Sequence, residues 1–167
     1  MNRLTIQEYQ VLAKRTCSSL GSLEKDLLHM RLGIITEVGE VLDIFKKELA
    51  YNKPIDKVNL GEEIADIAWY LVNEATFRGQ ECHIPLREYN TNSLHNLIYL
   101  DIALEEDNWD ISTALGFLNK FCIEHSLNFE ECLYKNIEKL KVRYPDKFTE
   151  EAALNRNLDK ERKVLES

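Results

Sequence analysis

The sequence predicts an all-α fold, and three observations lead to that prediction. Apolar residues recur every three to four positions along almost the whole chain, which is the spacing of one face of an α-helix. Three prolines and six glycines among 167 residues leave long uninterrupted segments. No segment keeps the strict polar–apolar alternation of a half-buried strand. At this length we expect a single domain over residues 1–167 with a sizeable core.

Two helices are predicted in the first 50 residues. Thr5 and Glu8 have the spacing of a capping box, so the first helix begins there and runs to about Cys17. A long second helix is expected over residues 23–50, with an apolar stripe along one face. Pro54 marks the turn that follows, because proline lacks the amide hydrogen that a helix interior needs.

A third helix is predicted from Asn59 to about Arg78. Asn59 with Glu62 suggests another capping box, in which each side chain bonds the backbone amide of the other residue. The segment 79–92 contains glycine, proline and asparagine and is expected to be a loop.

The second half of the chain repeats the helical pattern. Two amphipathic helices are expected over about 93–106 and 111–125, and Asn128 begins a further helix that ends near Arg143. The last helix, over 149–167, is charged nearly all round. A helix of that kind is not expected in a core, so we predict a solvated tail or an arm that crosses a partner subunit.

Composition and charge exclude several functional classes. The net charge of −8 and the pI of about 5.1 argue against a basic nucleic-acid-binding surface. The apolar runs are too short for a membrane span, and the N-terminus has no signal-peptide core. Four cysteines without a C-x-x-C pair suit a reducing compartment. We therefore expect a cytoplasmic protein that binds neither nucleic acid nor a membrane.

Four carboxylates in the first half of the chain form two helix-spaced pairs. Glu37 and Glu40 lie in the second helix, and Glu63 and Asp66 lie in the third. Residues three apart are separated by about 60° around a helix, so each pair shares one face, beside the apolar stripe. Four carboxylates that converge in a partly buried place repel one another unless a cation lies between them. Oxygen ligands predict a divalent metal ion, Mg²⁺ or Mn²⁺.

The helix that ends near Arg143 has a comparable polar edge, but it carries cations. Asn136, Lys139 and Arg143 lie on one side of its apolar residues, and ammonium and guanidinium groups suit the phosphates of a polyanionic substrate. Tyr70, on the acidic face of the third helix, could stack on a base. Taken singly, each of these residues has a plainer interpretation as a solvated charge, an exposed amide or a packing aromatic.

Together these motifs resemble a known family. TEVGEVLDIFKK followed by NLGEEIADIAWYL resembles the MazG-like nucleoside triphosphate pyrophosphohydrolases of the all-α superfamily, whose motif is E-x-x-E, a variable spacer and E-x-x-D. NIEKLKVRYPDKF is similar to the family's N-x-x-K-L-x-x-R-Y-P segment, and LTIQEYQVLAKRT is similar to its first helix. The resemblance covers about 1–79 and 126–167 and implies a four-helix-bundle-like core.

The resemblance also implies an activity. The enzyme would bind Mg²⁺ through all four carboxylates and hydrolyse nucleoside triphosphates, above all dNTPs, to a monophosphate and pyrophosphate, for nucleotide pool control or house-cleaning. Glu37 or Glu40 would orient or deprotonate the attacking water. Family members usually form dimers or tetramers, which implies a homodimer or homotetramer with a site completed at the subunit interface. The residues expected to bind substrate are Lys139, Arg143, Asn136, Tyr70 and Lys47.

The segment at about 80–125 departs from the compact members of the family, which pass almost directly from the third helix to the N-x-x-K helix. Its predicted helical pair is an insertion that leaves substrate choice and subunit number open. Two alternatives therefore remain. One is a pyrophosphohydrolase for another nucleotide-like substrate of the phosphoribosyl-ATP type, and the other is a non-catalytic helical protein that binds a nucleotide or a partner.

Overall fold

The protein is represented by a computed structural model, which describes residues 2–85, Leu94, Leu97 and 110–167. This part of the chain is 74% helix with no strand, so the predicted all-α fold is confirmed. Most of the helix predicted over 93–106 lies outside the described residues and stays a prediction, whereas the helix predicted over 111–125 is present. Within the described ranges, no helix combines the length and the apolar character that crossing a bilayer requires.

The first helix, α1 (Ile6–Ala13), begins as predicted. The amide of Glu8 donates to the Thr5 hydroxyl at 3.3 Å, and the Thr5 amide donates to the Glu8 carboxylate at 2.9 Å, which confirms the capping box. The helix ends earlier than expected because a 3₁₀ turn takes over at Lys14–Thr16. That turn matters for the site, since Thr16 lines the cleft described below.

The next two helices, α2 (Leu23–Tyr51) and α3 (Lys57–Phe77), pack against each other along most of their length. The prediction that Asn59 caps α3 is wrong. Asp56 caps it, because its carboxylate accepts bonds from the amides of Val58 and Asn59 at 3.0 and 3.2 Å. The third helix therefore begins at Lys57.

Two further helices, α4 (Ile111–Glu124) and α5 (Phe129–Arg143), pack against α3. Asn128 caps α5 as predicted, by accepting a bond from the amide of Glu131 at 2.9 Å. Because α3 contacts α1, α2, α4 and α5, it is the central helix of the core. Its apolar face is fully buried and includes Leu60, Ile64, Ile67, Leu71 and Val72.

The C-terminal segment differs from the prediction of one polar helix. It forms two short helices, α6 (Glu150–Leu154) and α7 (Leu158–Glu166), and α7 packs against α5 of the same chain. Leu165 and Glu161 are buried there, with only 4% and 2% of their surface exposed. The expectation of a solvated tail is therefore wrong for α7, and the alternative of an arm that crosses a partner subunit stays a prediction. A helix with a polar surface can dock in this way because its buried carboxylate is paired with arginines.

Candidate functional site

Three of the predicted carboxylates meet between α2 and α3. One oxygen each from Glu37, Glu63 and Asp66 lies within 4.8 Å of the other two, and all three residues are half-buried. The two helices are antiparallel neighbours, so the acidic position of one faces the acidic positions of the other. This spacing is compatible with one divalent cation held by oxygen ligands.

Two other carboxylates lie close to this group. Glu40 lines the same cleft, but it is exposed and does not belong to the group of three, so its role as a ligand or a base stays a prediction. Glu62, which was predicted only as a capping-box partner of Asn59, also lines the cleft. It lies four residues before Asp66, on the same helix face, and that spacing was a signal that could have identified it.

A fully buried cation lies behind the carboxylates. The Lys139 ammonium on α5 is 0% exposed, and it donates to Asp66 Oδ2 at 2.5 Å and to Glu62 Oε1 at 3.1 Å. Burial would lower the pKa of Lys139, but the charges of Asp66 and Glu62 outweigh burial and raise it. Lys139 therefore stays charged and holds two carboxylates in place.

Asn136 extends this support by one turn of α5. Its side-chain Nδ2 donates to Asp66 Oδ1 at 2.6 Å, and its side-chain Oδ1 accepts a bond from the Tyr9 hydroxyl at 2.7 Å. Both Asn136 and Tyr9 are completely buried. The structure thus places Asn136 and Lys139 behind the carboxylates and not in the lining of the cleft. Their predicted contact with substrate stays a prediction.

The crowding of the acidic groups changes their proton affinity. Burial, helped by the charge of Asp66, raises the pKa of Glu37 to about 7. Burial, with the charges of Asp66 and Glu62, raises the pKa of Glu63 to about 8. With their pKa values raised in this way, Glu37 and Glu63 retain protons near neutral pH in the absence of a cation. A bound cation would displace such protons, because a metal ligand must be deprotonated.

The acidic group forms part of a cleft of about 430 Å³. A volume in this range is typical of small-molecule sites. Four aromatic residues and two arginines also line the cleft, so an acidic region, a cationic region and flat apolar surfaces occur in one cavity. These residues are Trp69, Tyr70, Tyr144, Phe148, Arg143 and Arg156.

Tyr70 lines the cleft, where its ring is fixed by close packing, and its predicted contact with a base stays a prediction. It makes edge contacts with the rings of Trp69 and His29, at centroid distances of 5.0 and 6.0 Å. It also lies directly over Gly33 of α2, where a Cβ atom would come within 2.1 Å of the ring. Burial, with the charge of Glu37, raises the pKa of Tyr70 to about 12, so the phenol stays neutral.

The two remaining predicted substrate ligands differ in position. Arg143 lines the cleft, and its Nε and Nη2 donate to the two carboxylate oxygens of Glu161 at 3.0 and 2.5 Å. Lys47 is half-exposed, pairs with Asp43 on its own helix and does not belong to the lining of the cleft. Its predicted phosphate contact therefore gains no support from the structure.

Three residues of the C-terminal segment that shape the site were not predicted from the sequence. Phe148 and Arg156 line the cleft, and Glu161 pairs with both arginines. No local spacing connects these residues to the carboxylates of α2 and α3, so helical periodicity gave no signal for them.

No family model, no curated protein and no solved structure matches this chain.

Proposed function

We propose that this protein is a Mg²⁺-dependent nucleotide pyrophosphohydrolase, which hydrolyses nucleoside triphosphates, dNTPs above all, to a monophosphate and pyrophosphate. The observation that carries the proposal is the meeting of Glu37, Glu63 and Asp66 in a cleft that is also lined by two arginines. A carboxylate-bound metal beside guanidinium groups is an arrangement suited to phosphoanhydride cleavage. The resemblance of the same motifs to MazG-like enzymes supports cleavage to a monophosphate and pyrophosphate.

The charge balance at the acidic edge supports a cation. This edge comprises Glu37, Glu40, Glu62, Glu63 and Asp66, and among the described residues Lys139 forms ion pairs with two of them. Half-buried carboxylates in such excess either take up protons or bind a metal ion. When bound, Mg²⁺ would polarise the phosphoryl group under attack and lower the pKa of a coordinated water molecule, and Mn²⁺ offers similar chemistry.

The geometry suggests a division of roles among the acids. Glu37, Glu63 and Asp66 are the metal ligands of this proposal, since their oxygens converge. Glu40 lines the cleft one helical turn from Glu37 without joining the group, so it is available to orient the attacking water. Lys139 and Asn136 hold Asp66 at the position that a ligand needs.

Self-association is also part of the proposal. Leu28, Leu32 and Ile35 follow one another along one face of α2, and between 40% and 55% of the surface of each is exposed. An exposed apolar face of this kind is typical of a protein contact. A second copy of the chain that covers this face would make a homodimer or a homotetramer, and light scattering on the purified protein gives the subunit number.

Turnover of a nucleotide panel tests the proposal. Protein with Mg²⁺ is offered canonical and modified NTPs and dNTPs, together with phosphoribosyl-ATP, and both pyrophosphate and orthophosphate are measured. We expect pyrophosphate from at least one dNTP. Orthophosphate as the primary product would exclude cleavage between the α and β phosphates. Turnover of phosphoribosyl-ATP alone would favour the alternative substrate, and no turnover of any compound by folded protein would leave a non-catalytic binding protein.

A matched pair of variants links the turnover to the site. Glu63→Gln should lower turnover at least about 100-fold, because it removes a metal ligand while it keeps the shape of the side chain. Glu48→Gln, an exposed change on α2 outside the cleft, should leave turnover unchanged. Circular dichroism of both variants controls for folding, and an active Glu63→Gln protein would show that the metal site is misplaced.

A further inference from the structure

The C-terminal segment of the chain forms part of the wall of the cleft. Phe148 precedes α6, and Arg156 lies in the turn between α6 and α7. Phe148 packs its ring on Tyr144 at a centroid distance of 5.4 Å. The docking of α7 on α5 therefore brings a cation and an aromatic ring into a cleft whose acidic groups lie more than 80 residues earlier in the chain.

A buried carboxylate holds two arginines at this place. Glu161 is 2% exposed, and its Oε2 accepts bonds from Arg143 at 2.5 Å and from Arg156 at 2.9 Å. Arg143 adds a second bond to Oε1 and is only 14% exposed. The Arg143–Glu161 pair is therefore bidentate and mostly buried, which is the stronger geometry for a guanidinium with a carboxylate.

Arg156 has a different environment from Arg143. It donates to Glu161 through Nη2, and 41% of its side chain remains exposed. One carboxylate balances one of the two guanidinium charges, so this cationic edge, composed of Arg143, Arg156 and Glu161, carries one excess positive charge. The excess lies in the lining of the same cleft as the acidic edge. An anion that is bound to a metal at the acidic edge would therefore share the cavity with this positive charge.

We infer that Arg156 is a phosphate-binding residue of this cleft and that Glu161 is the positioning residue that holds its guanidinium against the cavity. The ligand class is a di- or triphosphate chain bound together with a divalent cation. Guanidinium groups suit this class, because they donate parallel bonds to phosphate oxygens. The inference deepens the proposed function, since it rests on the cleft being a metal–phosphate site.

Binding of a non-hydrolysable diphosphate tests the inference without turnover. Isothermal titration measures the affinity of imidodiphosphate in the presence of Mg²⁺, and of Mg²⁺ alone, for the wild-type chain and for Arg156→Gln. We expect imidodiphosphate to bind the variant at least about tenfold more weakly, because a charge-assisted bond is lost. The affinity for Mg²⁺ alone should not change, since Arg156 does not contact the carboxylates of the acidic edge.

Arg162→Gln is the matched control. Arg162 is also a paired arginine of the C-terminal segment, 37% exposed, but it contacts Asp56 and Glu166 and does not line the cleft. Its loss should leave the affinity for imidodiphosphate unchanged. Equal affinities of the wild-type, Arg156→Gln and Arg162→Gln proteins would overturn the role of Arg156, as would a wild-type protein that binds Mg²⁺ but no imidodiphosphate.

A third variant tests the positioning role. Glu161→Gln, assayed well below its melting temperature, should bind imidodiphosphate more weakly while it keeps the wild-type affinity for Mg²⁺. Tighter binding would show that Glu161 competes with the ligand, and this would overturn its positioning role. Imidodiphosphate binding that depends on Arg156, in a protein that hydrolyses no nucleotide, would support the inference and contradict the proposed function, so the two can fail separately.

Discussion

The acidic and cationic edges of the cleft are built in different ways. The metal-ligand candidates of the acidic edge come from two helices that follow each other in the chain, α2 and α3, and helical spacing places the acids of each helix on one face. The cationic edge joins Arg143 at the end of α5 to Arg156, which lies between α6 and α7, and to Glu161 of α7. Helical periodicity can therefore predict which acids of two paired helices share a face. The cationic edge cannot be predicted in this way, because ion pairs between separate segments bring its residues together.

The cations of the two edges also differ in burial. Lys139 is sealed between two carboxylates and 0% exposed, while Arg156 keeps 41% of its side chain in contact with solvent. A buried cation whose bonds all go to neighbouring acids mainly affects stability and the placement of those acids. A partly exposed guanidinium can donate to a ligand while it keeps its bond to the carboxylate that positions it.

Replacement of the buried cation should have the largest effect on folding. Lys139→Met leaves Asp66 and Glu62 unpaired beside two other acids, so we expect a loss of about 3 kcal/mol in the free energy of unfolding at pH 8. The loss should be smaller at pH 5, where protonation relieves the repulsion, and Mg²⁺ should restore part of it at pH 8. Urea denaturation measures these values.

Lys135→Met is the control for that change. Lys135 lies one turn earlier on α5 and forms a partly exposed pair with Glu131 at 3.3 Å. Its replacement should cost less than about 1 kcal/mol, as is usual for surface pairs. Equal losses for the two variants would mean that Lys139 does not hold the acidic edge together.

The acidic edge should also make the metal-free protein less stable as the pH rises. The pKa of Glu37 is raised to about 7 and that of Glu63 to about 8, from 4.5 in an unperturbed side chain. The folded state therefore keeps protons that the unfolded chain has released, so stability falls as the pH rises through about 7 to 8. We expect a decrease on the order of 2 kcal/mol between pH 5 and pH 8.5, reduced by solvent screening.

Thermal melts in the presence of a chelator measure this decrease. The double variant Glu37→Gln with Glu63→Gln should flatten the pH dependence, because it removes both titrating groups. The stabilisation by Mg²⁺ should grow with pH, since the metal ion competes with those protons. A metal-free protein whose stability rises from pH 6 to pH 8.5 would contradict the structure of the acidic edge.

The smallest of the three effects belongs to the cationic edge. Glu161→Gln removes the charge that two arginines share and leaves the mostly buried Arg143 without its ion pair, so we expect a loss of about 1.5 kcal/mol at pH 7. The exposed partner Arg156 should contribute little, and Arg156→Gln should cost less than about 0.5 kcal/mol. A loss from Arg156→Gln that equals the loss from Glu161→Gln would make Arg156 a structural residue.

The local signals in the sequence identified several helix starts and failed at Asn59 and at the start of α7. Thr5 and Asn128 cap the helices that they were predicted to cap. Asn59 does not, because Asp56 is an equally good capping residue three positions earlier, and the spacing of the residues cannot choose between them. In the folded chain Asp56 also pairs with Arg162 of α7 at 2.9 Å, a contact between distant segments that no local pattern contains.

The candidate site shows the same limit. On a helical projection Lys139 and Arg143 look alike, since both are cations beside the apolar stripe of α5. The packing of α5 against α3 places Lys139 among carboxylates, and the docking of α7 pairs Arg143 with Glu161. Which cation faces the cleft is therefore a property of helix packing and not of helix periodicity.

The apolar spacing of the chain was enough to predict the all-α fold and the helix faces on which Glu37, Glu63 and Asp66 lie, because the 3.6-residue period fixes the direction of each side chain along a helix. Three further points follow only from the packing of the helices. Packing buried Lys139 and Asn136 behind the acids, left Glu40 exposed in the lining of the cleft, and brought Arg156 and Phe148 into that lining. Each of these outcomes depends on which helices touch, and contacts between distant segments are set by the burial of whole faces and the pairing of buried charges.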